Sequence, residues 1–353
     1  MPAAVITTQV LLPLYRSHTN IKQYEGTAYI WRARVETSYL NPSDGTCTNV
    51  LNTAARASDS GLASDVIRVL SQRTSRLDMH HYEALLAAYV NSGDLQTALR
   101  ILCIMKKARL EPTEGTTRPI FAYLVSQRPL PNSSDARDAT EKIAPKKALS
   151  LLTSLSEDGH LVPVAAVNAI ISAEIMGGTD SRESLQSAIV MYKQLHLICR
   201  DGPNTDTFNI LLQGCAKTAN AKADAMFLAS EMVALGIRAD ELTYDRLVLV
   251  CLGDNTNTSS SEASQQVGEH SQAIDEGLED ALRYTAEMRE IFGTTEKRAA
   301  PLRNGTWTAL VKRCADRGDE RAWHLLEEME GLGLGTNRLK ASVVEAFEAR
   351  SVG

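Results

Sequence analysis

The chain has 353 residues, with 44% hydrophobic and only 5% aromatic residues, and 37 Lys and Arg against 43 Asp and Glu for a net charge of −6. No run approaches the ~18 apolar residues that cross a bilayer, and the best stretch, Leu161 to Ile171, is interrupted by Asn168. Six cysteines without C-x-x-C spacing or a secretory signal argue against a zinc site and a disulfide framework.

Residues 1–43 come first. They have no acid before Glu25, but Arg16 and Lys22 are the only bases there and Pro13 interrupts any amphipathic helix, so a transit peptide and an N-terminal cap are both open readings. From Asp44 helical periodicity takes over. The clearest stretch runs from Met79 to Thr113. Tyr82, Leu85, Leu86, Tyr89 and Val90 recur at helical spacing, Asn91-Ser92-Gly93-Asp94 breaks the pattern, and Leu95, Ala98, Leu99, Ile101, Leu102 and Met105 form a second apolar set. Gly93 is placed to take a left-handed cap, and Pro112 lies just beyond the second helix. Two short amphipathic helices like these cannot bury their apolar residues alone, so neighbouring copies are required.

The copies follow in chain order. Asp44–Asp78 precedes Met79–Thr113, and each is 35 residues long. Thr117–Val125 is separated from Lys146–Pro163 by a polar insertion over 126–145. Val164–Gly178 pairs with Leu185–Asn204, and Thr207–Asp240 is a strong copy. Leu242–Leu252 reaches its second helix, Leu278–Phe292, only after a low-complexity insertion over 253–272. Thr306–Asn337 is the last copy, and 338–353 reads as a capping helix. Both insertions bury too little apolar surface to offset their ordering entropy and read as loops between the two helices of a repeat. One alignment fixes the frame. Ala63, Ala98, Ala148, Ala188, Ala225, Ala281 and Ala322 recur early in each second helix, and Leu70, Met105, Leu155, Leu195, Met232, Met288 and Met329 follow seven residues later. A small residue lets two helices approach, and a long flexible one fills the gap two turns on.

These 35-residue hairpins, with Tyr82 or Phe208 near the start, A-L-x-L-x-x-x-M in the second helix and ends such as Leu110-Glu111-Pro112-Thr113, resemble pentatricopeptide repeats. Tetratricopeptide repeats are the near alternative, but they carry a Gly in the first helix where this chain has Leu86, Ile171, Leu212, Val248 and Val311. The inserts look most like those of divergent fungal mitochondrial members. The resemblance covers 44–337 and implies an all-α, right-handed superhelical solenoid of about seven hairpins with a concave groove lined by first helices. It further implies single-stranded RNA as the ligand, about one base per repeat, in mitochondrial RNA processing, stability or translation. The fifth and last residues of a repeat would read each base. They fall on Thr48 with Asp78, Asn168 with Asn204, Asn209 with Asp240, and Thr308 with Asn337. Glu83 and Arg118 hold the fifth place in two further repeats and match no common pair.

Charge divides the chain. Residues 1–128 carry 14 Lys and Arg against 10 Asp and Glu, and the remainder 23 against 33. Phosphate contacts are therefore expected near Arg56, Arg100, Lys106, Lys107, Arg109 and Arg118. The acidic C-terminal half equally suits a basic protein, and the alternative function is a protein-binding scaffold or assembly factor for a mitochondrial ribosome or respiratory complex. No Gly-rich phosphate loop or nucleophile elbow is present, nor the H-x-E with C-x-x-C that a deaminase needs. The sequence therefore predicts a non-enzymatic binder without cofactor, metal or membrane insertion. Cys215, Cys251 and Cys314 occupy the same place in three repeats and read as core residues.

Overall fold

The computed structural model describes residues 21–35, 39–73, 77–127, 144–178, 180–253, 275–292, 302–335 and 337–351. The elements of the described residues are all helices, and no strand occurs among them. Residues 1–20 and nearly all of both insertions lie outside this description. The ends of the first insertion are described: α6 (Glu114–Ser126) stops where it begins, and α7 (Pro145–Glu157) starts where it ends.

The chain forms two compact units, one of residues 1–173 with 194–202, the other of 174–193 with 203–353. In the first, α1 (Ile21–Ile30) continues as a π-helical turn, Trp31–Val35. Trp31 is fully buried there. Tyr24 Oη donates to Asp59 Oδ2 at 2.5 Å and Arg32 pairs with the same oxygen at 3.1 Å, while Asp59 Oδ1 caps α3 (Ser60–Arg73) by accepting from the Leu62 N–H. The helix α2 (Asp44–Arg56) packs against α3 and against the next first helix, α4 (Met79–Asn91). In turn α4 packs against α5 (Leu95–Lys107) and α6, and α5 against α7. A hairpin is thus stitched to its successor along both its helices.

The second unit repeats the pattern. There α10 (Thr205–Lys217) packs on α11 (Lys222–Ala234) and α12 (Glu241–Gly253), α12 on α13 (Glu276–Phe292) and α14 (Asn304–Arg317), and α14 on α15 (Arg321–Gly331) and α16 (Asn337–Ser351). Val248, Cys251, Leu278, Met288, Trp307, Leu310 and Met329 form one continuous core. Tyr192 meets Phe208 edge-on at 5.4 Å. The remaining hairpin is α8 (Val164–Gly177) with α9 (Ser181–Ile198), and the boundary between the units falls within it.

The small-residue frame is realised in every repeat. All seven alanines have 0% exposure, and the seven Leu or Met residues two turns on have at most 3%. The bulky first-helix residues Leu86, Ile171, Leu212, Val248 and Val311 are all at 0%, so large side chains fill the place where the alternative repeat carries a glycine. Gly93 takes φ +85°, as the helix break between α4 and α5 requires.

Candidate nucleic-acid interface

The first helices begin at Asp44, Met79, Glu114, Val164, Thr205, Glu241 and Asn304. Ser43, Asp78, Thr113 and Asn204 stand as N-caps immediately before four of them. Asp240 does the same work for α12, its Oδ1 accepting from the Thr243 N–H at 2.8 Å. Ser, Thr, Asn and Asp are the residues whose short oxygens reach the free N–H groups of a first turn. In the repeats that end at Asp78, Thr113, Asn204 and Asp240, the last residue is therefore also the cap of the next.

The third residue of each first helix completes the motif. These residues are Thr46, His81, Thr116, Ala166, Thr207, Thr243 and Thr306. The hydroxyls of Thr116, Thr207 and Thr243 reach back to the backbone N–H of the residue that caps their helix. Those of Thr116 and Thr243 also reach across to the preceding repeat. Thr116 Oγ1 donates to Glu83 Oε1 at 3.0 Å, and Thr243 Oγ1 to Asn209 Oδ1 at 2.9 Å. His81 Nδ1 accepts from the Asp78 N–H at 3.0 Å, so its Nε2 carries the proton and donates to Thr48 Oγ1 at 3.4 Å. Asp245 follows the same rule by another donor, accepting from the Arg303 N–H at 2.9 Å. The fifth side chains Thr48, Glu83, Asn209 and Asp245 are each tied to the start of the following repeat. Sequence reasoning missed this third position. Its only signal was a Thr or His recurring 33 or 34 residues after a polar fifth residue.

Of the four expected pairs, Asn209 and Asp240 are in direct contact. Asn209 Nδ2 donates to Asp240 Oδ1 at 3.0 Å and Oδ2 at 3.1 Å. A carboxylate only accepts, so the amide nitrogen must face Asp240, and the amide oxygen then takes the Thr243 hydroxyl. Burial alone would raise the Asp240 pKa, but hydrogen bonds from Asn209 and Thr243 and the nearby Arg246 charge hold it below the usual carboxylate value. Arg246 donates to the Asn209 carbonyl and, at 3.1 Å, to Gln213 Oε1. Asn209 is only 3% exposed as a result, and Asp240 is the half-exposed member of the pair.

The other expected residues are placed differently. Thr48 is half-buried and gives its hydroxyl proton to the Asp44 carbonyl at 3.0 Å, while Asp78 is exposed. Thr308 gives its proton to the Asn304 carbonyl at 2.8 Å, and Asn337 is exposed as the first residue of α16. Asn168 is 6% exposed within α8, and Asn204 caps α10 through the Thr207 N–H at 3.0 Å.

One expected phosphate contact is corrected. Lys106 lies between Glu111 at 2.7 Å and Asp201 at 2.8 Å, with its side chain only 19% exposed. Its charge is spent on joining α5 to residues 95 positions away, so it is a structural cation. Arg56, Arg100, Lys107, Arg109 and Arg118 are exposed. All six cysteines are free and buried, and burial pushes the thiols of Cys215 and Cys314 up to about 12. Thiols so deep among apolar side chains pack as small hydrophobes. Among the described residues, no group of three His, Cys, Asp or Glu side chains could hold a metal ion.

The family model described as "Pentatricopeptide repeat-containing protein" matches residues 44–195. Over that stretch the chain is similar to pentatricopeptide repeat proteins. A pentatricopeptide repeat-containing protein of Arabidopsis thaliana is 30% identical over 104 residues, which is 30% of this chain and 17% of that relative. The crystal structure of the pentatricopeptide repeat protein PPR10 from maize aligns with 96% of this chain and 40% of its own at 17% identity, with a TM-score of 0.45. PPR10 in complex with an 18-nucleotide psaJ RNA element aligns with 96% of this chain and 50% of its own at 16% identity, with a TM-score of 0.35. The chain thus spans half or less of the length of these three proteins. Among the described residues, no helix is long and apolar enough to cross a membrane.

Proposed function

We propose that this pentatricopeptide repeat protein binds single-stranded RNA along the starts of its first helices, in an organelle and specifically the mitochondrion, to support processing, stability or translation of transcripts. The observation that carries the reading is the contact of Asn209 with Asp240, the fifth and last residues of one repeat, at 3.0 Å. The Asn209 amide fixes the half-exposed Asp240 carboxylate, an acceptor edge of the kind that recognises a base N–H. Asp240 faces the approaching base. Thr48, Asp78, Asn168, Asn204, Thr308 and Asn337 serve the same purpose in their repeats.

Titration of the purified protein with a pool of single-stranded RNAs at low and moderate salt tests the reading. Binding is expected to weaken with salt, because Lys and Arg release counterions from phosphates. Asn209→Ala should weaken a uridine-containing site more than unrelated RNA, by about 1 kcal/mol. Absence of binding at either salt by the folded protein would overturn the proposal. The second reading, a scaffold for a basic protein, is favoured by the exposed acids Glu276 and Glu290 of α13 and Glu327 and Glu330 of α15. Failure to bind RNA, together with salt-sensitive binding of a basic protein from the organelle, would establish it instead.

A further inference from the structure

One position on the outer side of the second helices is polar in every repeat but two. Two residues after the recurring alanine the chain carries Asp65, Arg100, Ser150, Arg283 and His324, but Val190 in α9 and Phe227 in α11. These two are 55% and 42% exposed. They come from consecutive repeats, and both belong to the unit of residues 174–193 and 203–353. Tyr192 Oη donates to Glu231 Oε2 at 2.9 Å, and Lys193 Nζ lies 5.7 Å from the centre of the Phe227 ring, so the two helices run side by side here. Around that ring α11 has only small side chains on its outer side, Ala223 before it and Ser230 and Ala234 after it, all exposed.

The acids of α11 that could break up this surface are engaged elsewhere. Asp224 pairs with Arg182 at 3.0 Å, and Glu231 is held by Tyr192. Two charges share the outer face of α9 with Val190. They are Glu183, in the first turn, and Lys193, about 15 Å further along the helix. Both are exposed, and neither has an ion pair among the described residues. An exposed apolar patch with a polar rim is the mark of an interaction surface. One cation gives phosphates little to hold and Glu183 repels them, so the occupant is not a nucleic acid. An apolar centre between an acid and a base is instead the complement of a protein segment that is apolar in its middle and carries the opposite charges at its ends.

We propose that α9 and α11 dock an amphipathic helix of a partner protein, whose apolar face covers Val190 and Phe227 and whose charges set a Lys or Arg beside Glu183 and a carboxylate beside Lys193. Such a helix lays the residues at i, i+3, i+4 and i+7 along the seam between two neighbouring helices. The small residues around Phe227 leave room for its side chains on either side of the ring. The two charges fix the direction of the docked helix, because a helix laid the other way sets like charge beside like. None of these residues is the fifth or last of a repeat, so the inference stands apart from the RNA-binding reading.

Fluorescence anisotropy with a labelled helical peptide tests this. The probe carries Leu along one face, a Lys near one end of that face and a Glu about 15 Å further on. A control peptide has Lys at both places. The wild-type protein should bind the probe at low salt. Phe227→Ser and Val190→Ser should each weaken that binding about tenfold, with circular dichroism confirming the fold of each variant. Lys193→Glu should weaken the probe and strengthen the control, each by about threefold. Phe227→Ser should titrate with single-stranded RNA as the wild type does. Absence of probe binding by the folded wild-type protein overturns the proposal, as does probe binding that Phe227→Ser leaves unchanged. Equal binding of probe and control by both the wild type and Lys193→Glu overturns it as well. Sedimentation of the protein alone supplies the last outcome. A dimer that Phe227→Ser dissociates would make a second copy of this chain the occupant in place of a partner helix.

Discussion

At Arg109 the backbone adopts φ +63°, a left-handed conformation just after α5. The equivalent break after other second helices is made by Gly159, Gly236 and Gly333, all with positive φ. A side chain there costs about 1–2 kcal/mol through the clash of its Cβ with the carbonyl, and glycine gives part of that back in unfolded-state entropy. Arg109→Gly is therefore expected to raise stability by about 0.5–1 kcal/mol in urea titrations. A loss of stability would mean that the exposed guanidinium makes a contact worth more than the strain. The third-position residue makes a second case. Thr243→Val keeps the shape of the side chain but removes the hydroxyl, which leaves the buried Asn209 oxygen and the Asp240 N–H each short of a partner. A cost of about 1–3 kcal/mol is expected, and Thr243→Ser should recover most of it.

Between elements, the sequence was legible wherever one residue type repeats for one physical reason. The seven alanines could be aligned because each marks a close helix crossing, and they are uniformly buried. Ala98→Phe and Ala225→Phe should each overpack such a crossing and cost about 1–3 kcal/mol or more, seen as a lowered Tm. Gly277 is tighter still and carried no repeat signal. A Cβ there would lie 2.6 Å from the Cys251 carbonyl oxygen, a backbone atom that cannot give way as a side chain would. Gly277→Ala should therefore destabilise α12 against α13 by a similar amount, and a wild-type Tm would show that the two helices separate freely. Contacts between residues unrelated by the repeat were not legible. Nothing in a single chain marks Lys106 as the partner of Asp201, or Trp31 as a buried side chain ahead of the first repeat. For the same reason the third-position bonds escaped notice. A polar residue at the fifth place reads as exposed until the next helix start is seen to cover it.

For the whole molecule, charge is the property with the widest reach, and its consequence differs between the two units. Asp275 begins the return from the second insertion into α13, with its side chain 5% exposed. Burial would raise its pKa, but the Leu278 N–H and the guanidinium groups of Arg313 and Arg317, both at 3.0 Å, hold it below the usual carboxylate range. Asp240 is lowered too, as is Asp319 chiefly by its hydrogen bond from Arg321. In the first unit Asp59 is lowered, against its burial, by the Leu62 N–H and Tyr24. A carboxyl group whose folded pKa lies below its unfolded value stabilises the fold fully above the unfolded value, near 4, and loses that contribution as pH falls through the folded one. Three of these four groups belong to the unit of residues 174–193 and 203–353. That unit is expected to lose amide-exchange protection first as pH is lowered from about 5 to 3. Asp275→Asn should lower stability at neutral pH by about 1–3 kcal/mol. It should also flatten the acid dependence of that unit alone, because the substituted group no longer takes up a proton. Equal loss of protection in both units, or an unchanged acid profile in the variant, would place the acid-sensitive contacts elsewhere.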